Sequence, residues 1–148
     1  NVDYDVIFGP SYKGIPLAAA VATVLNQQAS KKIPICFDRK EEKDHGEGGA
    51  LVGSVKNKKV LIIDDVLTAG TALKNSIKLI EDAGGDISAA IIALDRQEQD
   101  EGEQVSKKLV NELNIPIFSI SSLENLVVYL ETTGVKDIAQ KLKTSLKN

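Results

Sequence analysis

Strand-length apolar runs alternate with stretches of helical period along the 148-residue chain. That order predicts an α/β domain with a doubly wound, mostly parallel sheet flanked by helices. Three observations carry the prediction. The run Val60-Leu61-Ile62-Ile63 is aliphatic without a break, as a strand covered on both faces requires. Leu73, Ile77 and Ile80 recur at helical spacing soon after it and give way to Gly84-Gly85. The same β-then-α order returns down the chain with no internal repeat and no linker, so residues 1–148 read as a single domain.

Tyr4 to Phe8 reads as a first buried strand, broken by Gly9-Pro10. A helix runs from Pro16, whose missing N–H costs nothing in a first turn, to about Gln27. Ile33 to Phe37 reads as the second strand, residues 38–49 as a mobile, charged loop, and Leu51 to Ser54 as a short edge strand. Val60 to Asp64 is the expected central strand, and the helix through Leu73 comes after it. Ile87 to Leu94 reads as another buried strand, Val105, Leu109 and Leu113 mark a helix, and Ile115 to Ile120 form the last strand. Ser121, with Glu124 three residues on, predicts a capping box for a helix ending near Gly134. Lys136 to Lys147 has the pattern of a final amphipathic helix.

Composition narrows the function classes. The chain is 43% hydrophobic and 26% charged, with 18 Lys and Arg against 21 Asp and Glu, a net charge of −3. That places it among globular proteins and argues against a nucleic-acid binder held by a broad basic face. No apolar run approaches the ~20 residues that span a bilayer, so no membrane partner is expected. Cys36 is the one cysteine, which excludes an intrachain disulfide and points to a reducing, cytoplasmic compartment. Set between Ile35 and Phe37, it reads as core rather than as a nucleophile. The chain begins Asn1-Val2-Asp3 and contains no methionine, so it is expected to be processed or a fragment.

Ligands of open α/β sheets bind beyond the carboxyl ends of the strands, so the turns leaving those ends are the places to look for chemistry. The run VLIIDDVLTAGTA, Val60 to Ala72, carries two adjacent carboxylates, Asp64 and Asp65, and then Thr68-Ala69-Gly70-Thr71 before a helix. Threonine hydroxyls, a glycine and the unpaired N–H groups of a helix start form an anion cradle suited to a phosphate. The carboxylates suit hydroxyl groups and a hydrated divalent cation. The ligand chemistry wanted is a phosphorylated sugar with vicinal hydroxyls.

The loop holds Arg39, Lys40 and Lys43, the titratable His45, and the anions Asp38, Glu41, Glu42, Asp44 and Glu47. It is net negative, so it is no static phosphate patch, and Gly46, Gly48 and Gly49 make it pliable. Such a segment is either a solvated surface loop or a lid that offers its cations when closed. Gly9 to Gly14 has Walker-like glycine spacing but continues Ile15-Pro16, which excludes an ATP-binding P-loop. Arg96 lies just past the strand that ends near Leu94. Its guanidinium suits either bidentate recognition of a carboxylate or an ordinary ion pair with Asp95 or Glu98. His45 has neither a nucleophile partner nor a second histidine, so a hydrolase triad or a zinc site is unsupported.

The Val60–Ala72 run resembles the phosphoribosyl-pyrophosphate (PRPP) motif of the type I phosphoribosyltransferases. FGPSYKGIPLA (Phe8 to Ala18), CFDRKEEKDHGEGG (Cys36 to Gly49) and ALDRQE (Ala93 to Glu98) narrow the resemblance to orotate phosphoribosyltransferases. The resemblance implies transfer of the phosphoribosyl group of PRPP to orotate, giving orotidine 5′-monophosphate and pyrophosphate in UMP biosynthesis. It implies PRPP contacts from Tyr12, Lys13, Arg39, Lys40, Lys43 and His45. Further contacts to PRPP would come from Asp64, Asp65, Val66, Leu67, Thr68, Ala69, Gly70, Thr71 and Ala72. Catalytic roles fall to Lys43, Asp64 and Asp65, and orotate contacts to Thr68 and Arg96. Mg²⁺ would be bound through PRPP and water rather than by the protein directly. The family's loop covers a neighbouring active site, so a homodimer with Lys43 acting in trans is expected. The family pattern also carries a hood ahead of the first strand, which is expected to be absent here. Two other readings share the fold: a purine-base phosphoribosyltransferase, which should lack the 38–49 loop pattern and Asp95-Arg96-Gln97, and a non-catalytic PRPP- or nucleotide-sensing regulator, which should carry a clustered basic face.

Overall fold

The structure is a computed structural model and describes residues 2–28, 32–39 and 50–146. Its centre is the aliphatic run Val60 to Ile63. β4 (Lys59–Leu67) lies between β1 (Val6–Gly9) and β5 (Asp86–Asp95), parallel to both. Outward from β1 come β2 (Ile35–Asp38), parallel, and β3 (Leu51–Val52), antiparallel. On the other side β5 pairs in parallel with β8 (Ile117–Ser122), so the six-stranded sheet runs β3-β2-β1-β4-β5-β8. The mostly parallel, doubly wound α/β class expected from the sequence is the one found.

Because side chains alternate along a strand, the sheet splits its apolar residues between two cores. Val60 and Ile62 of β4 join Val6, Phe8, Ala90 and Ile92 beneath α2 (Thr71–Asp82) and α3 (Val105–Leu113), which supply Leu73, Ile77, Ile80 and Leu109. Leu61 and Ile63 join Ile7 and Ala89 against Ala18 and Ala22 of α1 (Gly14–Gln28). Cys36 is fully buried in the first core, and burial pushes its thiol up to about 11, so it is core rather than nucleophile. α4 (Leu123–Thr132) and α5 (Lys136–Ser145) pack on one another, and no helix among the described residues is long and apolar enough to cross a membrane.

Several boundaries differ from the sequence-based expectation, each for a physical reason. β4 does not stop at Asp64: Val66 and Leu67 continue the ladder opposite Leu94 and Asp95, because pairing on a rigid neighbour overrides the weak strand preference of aspartate. β1 starts at Val6, not Tyr4, and β2 at Ile35, not Ile33. Pro34 there only supplies a carbonyl to the Ile7 N–H. α1 begins at Gly14, two residues before Pro16, which still falls within the first turn. β8 starts at Ile117 and keeps its pairing with β5 as far as Ser122, so the capping box is made one residue later than expected, by Ser122 and Asn125. A hairpin of β6 (Gln99–Asp100) and β7 (Glu103–Gln104) adds to the expected elements; Glu101 (φ 53°) and Gly102 (φ 85°) turn it in the left-handed region. Of the 38–49 loop, Asp38 and Arg39 are described, while Lys40, Lys43 and His45 lie outside the described residues.

Candidate functional site

The carboxyl ends of β1, β2, β4 and β5 place the residues after them at one edge of the sheet. After β1, the turn Pro10–Lys13 leads into α1, with Tyr12 and Lys13 exposed. Gly9 is required at its start, since a Cβ there would collide with the carbonyl of Gly14 and lie 2.8 Å from the Ala18 Cβ. Asp38, the last residue of β2, accepts hydrogen bonds from the Ser11 N–H (2.5 Å) and the Ser11 hydroxyl (2.6 Å), fixing this turn against the root of the next loop. At that root the Arg39 N–H donates to the Ala50 carbonyl at 2.8 Å.

Asp64 and Asp65 take the alternation of β4 onto opposite faces of the sheet. Asp64 lies on the side of α2, where it lines a small cavity with Thr68, Gly70, Ala72 and Leu73, and is only 8% exposed. Burial, reinforced by the charge of Asp65, pushes its carboxyl up to about 6, although its Oδ1 accepts the Asp65 N–H at 2.8 Å. Asp65 lies on the side of α1, where its Oδ2 accepts from the Lys13 Nζ at 2.9 Å. Burial alone would raise the Asp65 carboxyl, but the Lys13 ammonium outweighs it and leaves the group below the usual carboxylate range. The same hydrogen bond raises Lys13. An electropositive tip from one turn thus meets an ionised acid from the central strand.

Past Leu67 the chain crosses Thr68 and Ala69 to Gly70, which starts α2 with φ 78° and no side-chain cap. A Cβ at Gly70 would fall 2.5 Å from the Leu109 Cδ1, so glycine meets both the backbone and the packing requirement. The first turn of α2 has no acidic residue, and Ala69, Thr71 and Ala72 are exposed. An anion arriving there meets uncapped N–H groups and the positive end of the helix dipole. Val66 is half-buried; the Leu67 side chain is buried, so only its main chain can face a ligand.

Arg96 comes directly after β5, and its N–H donates to the Leu67 carbonyl at 3.1 Å, which ties it to the strand that leads to Thr68. Its guanidinium is exposed and pairs with the Glu98 carboxylate (Nη2–Oε1 3.3 Å). Asp95 is turned inward, accepting from the Gln97 N–H (2.8 Å) and the Gln104 side-chain amide (3.1 Å). The structure therefore brings Lys13, Asp65, Asp64, Thr68 to Ala72 and Arg96 to one edge. The contacts of Asp38 and of Asp95 with Gln104 escaped the sequence; the Glu101-Gly102 pair was the available signal for the latter. Among the described residues no group of three or more His, Cys, Asp and Glu is placed to hold a metal ion.

Comparison with known proteins adds an independent observation. A family model described as phosphoribosyl transferase domain matches residues 2–124. The chain is 46% identical over 137 residues to an orotate phosphoribosyltransferase of Pseudoalteromonas translucida, covering 92% of this chain and 64% of that protein. It is 50% identical over 135 residues to one of Acinetobacter baumannii, covering 90% and 62%. A solved orotate phosphoribosyltransferase of Francisella tularensis superposes with a TM-score of 0.77 at 37% identity, covering 97% of this chain and 66% of that one. The chain thus spans somewhat less than two thirds of the length of the curated relatives it matches.

Proposed function

Since the chain belongs to the phosphoribosyltransferase family, we propose that it carries the catalytic core of an orotate phosphoribosyltransferase, exchanging orotate for pyrophosphate at the anomeric carbon of PRPP. The observation that carries this reading is the arrangement on one strand and the turn after it. Asp64 and Asp65 stand on the strand that leads through Thr68 and Ala69 into an uncapped, glycine-started helix, with Lys13 at 2.9 Å from Asp65. The 5′-phosphate sits on Thr68 to Ala72, and the two acids hold the ribose hydroxyls. As the bond to pyrophosphate breaks, positive charge grows on the ribose ring, where the carboxylates oppose it. Lys13 meets the negative charge on the departing group. Arg96 exchanges Glu98 for the carboxylate of orotate, a pairing its planar guanidinium favours.

The donor set suits Mg²⁺. Asp64 and Asp65 are hard oxygen ligands that would meet the water shell of an ion carried in by PRPP, and the bound ion would offset charge on the pyrophosphate. We read Arg39, Lys40, Lys43 and His45 as the further PRPP contacts, with Lys43 reaching across a homodimer in the cytoplasm. The 38–49 loop pattern, Asp95-Arg96-Gln97 and the acidic balance favour this reading over a purine-base enzyme or a nucleic-acid-binding regulator.

The test supplies PRPP and Mg²⁺ with orotate, hypoxanthine, guanine or uracil and monitors base consumption and pyrophosphate release. Turnover with orotate alone supports the reading. Turnover with a purine, or PRPP-independent retention of nucleic acid at physiological salt, overturns it.

A further inference from the structure

We propose that Asp95 is a positioning residue, acting with Gln104 and Gln97 to aim Arg96 at the carboxylate of the incoming base. The inference rests on the orotate reading of the site. Asp95 is 6% exposed, and both of its oxygens are engaged, Oδ1 by the Gln97 N–H and Oδ2 by the Gln104 amide. It is therefore unavailable to substrate. Both oxygens are spent on groups that flank Arg96 in the fold, so what Asp95 supplies is the geometry it imposes.

That geometry fixes the chain before and after Arg96. Gln97 is held at φ 56°, an uncommon conformation for glutamine, by its N–H to Asp95. The Gln97 side chain then accepts the Glu124 N–H at 2.8 Å, which anchors the turn to the first residues of α4. The Glu98 carbonyl accepts from Val105, at the start of α3 (2.9 Å), and Gln104 lies in the strand immediately before that helix. The Arg96 N–H is fixed to Leu67 of β4. With its main chain, both neighbours and Glu98 tied to β4, β7, α4 and α3, Arg96 keeps only the freedom of its side chain, which swings between Glu98 and a ligand. The hairpin β6–β7 serves chiefly to deliver Gln104 to Asp95.

Steady-state kinetics on the purified chain test this with Asp95→Ala, Asp95→Asn and Gln104→Ala. Gln104 is half-buried at the surface, so its variant tests the network even if Asp95→Ala folds poorly. Asp95→Asn keeps an acceptor for Gln97 and faces Gln104 with an amide that its own amide can match by turning over. The expected result is an orotate KM raised about fivefold or more in Asp95→Ala and Gln104→Ala, with the PRPP KM unchanged and Asp95→Asn restored to within about twofold. An unchanged orotate KM in Gln104→Ala, an equal rise in both KM values, or Asp95→Asn as poor as Asp95→Ala would each overturn the inference while leaving orotate turnover by the unsubstituted chain intact. Absence of that turnover refutes the underlying reading and this inference together.

Discussion

Replacing Asp64 with asparagine should make the protein more stable and less active at once. The folded structure holds this carboxyl at about 6 instead of the usual 3.8, chiefly by burial. At 1.36 kcal/mol per pH unit, keeping it ionised at pH 7.5 costs about 3 kcal/mol of folding free energy. A carboxyl raised in the folded state costs nothing below pH 3.8, where both states are protonated. The penalty accumulates between pH 3.8 and 6 and is complete above that range. Asparagine removes the charge but keeps an oxygen for the Asp65 N–H. Urea unfolding at pH 7.5 should therefore place Asp64→Asn above the parent by about 1–3 kcal/mol, or a Tm higher by roughly 3–10 °C for a domain of this size. At pH 5 the gap should fall to about half. PRPP-dependent turnover should drop by at least tenfold in the same preparation, because on the proposed reading the lost charge is one of the two that face the ribose. A variant no more stable than the parent at pH 7.5, or a gap that does not shrink towards pH 5, would refute the reasoning.

Other perturbations probe the remaining parts. Lys13→Ala should weaken PRPP binding about tenfold by calorimetric titration, since it removes the charged donor proposed to meet the pyrophosphate. It should also flatten the acid limb of the stability profile: the depressed Asp65 carboxyl contributes stability above its unfolded pKa that fades as pH falls through the folded value, and without Lys13 burial alone acts on it. Gly70→Ala combines positive φ with a 2.5 Å approach to Leu109 and should cost about 1–3 kcal/mol in urea unfolding, with loss of binding to ribose 5-phosphate. Glu98→Gln releases Arg96 from a half-exposed ion pair and should tighten orotate binding about two- to fivefold at low salt; an unchanged affinity would mean that Glu98 does not compete for the guanidinium.

The parallel sheet was legible because burial on both faces writes itself as unbroken aliphatic runs, as at Val60 to Ile63, and because the helices after them keep a clear period. The turn into α2 was legible for a different reason: Thr68 to Thr71 combines residue types whose local backbone needs are strong. The features that escaped depended on contacts distant in sequence. Nothing near Asp64 announces that β4 runs on to Leu67, because the instruction comes from Leu94 and Asp95 on the neighbouring strand. Asp38 looks like one acid in a charged loop until Ser11, 27 residues earlier, is seen to donate to it twice. The capping box moved from Ser121 to Ser122 because the pairing of β8 with β5 reaches Ser122 itself.

The alternation that separates Asp64 from Asp65 limits how this chain can change over time. Inserting or deleting a single residue between Ile63 and the acids would exchange their sides, turning the Lys13 partner inward and thrusting the buried acid towards α1. Only length changes in steps of two would keep each acid on its own face. The central strand thus counts parity, and its two acids keep their sides only as a fixed pair rather than as two independent positions.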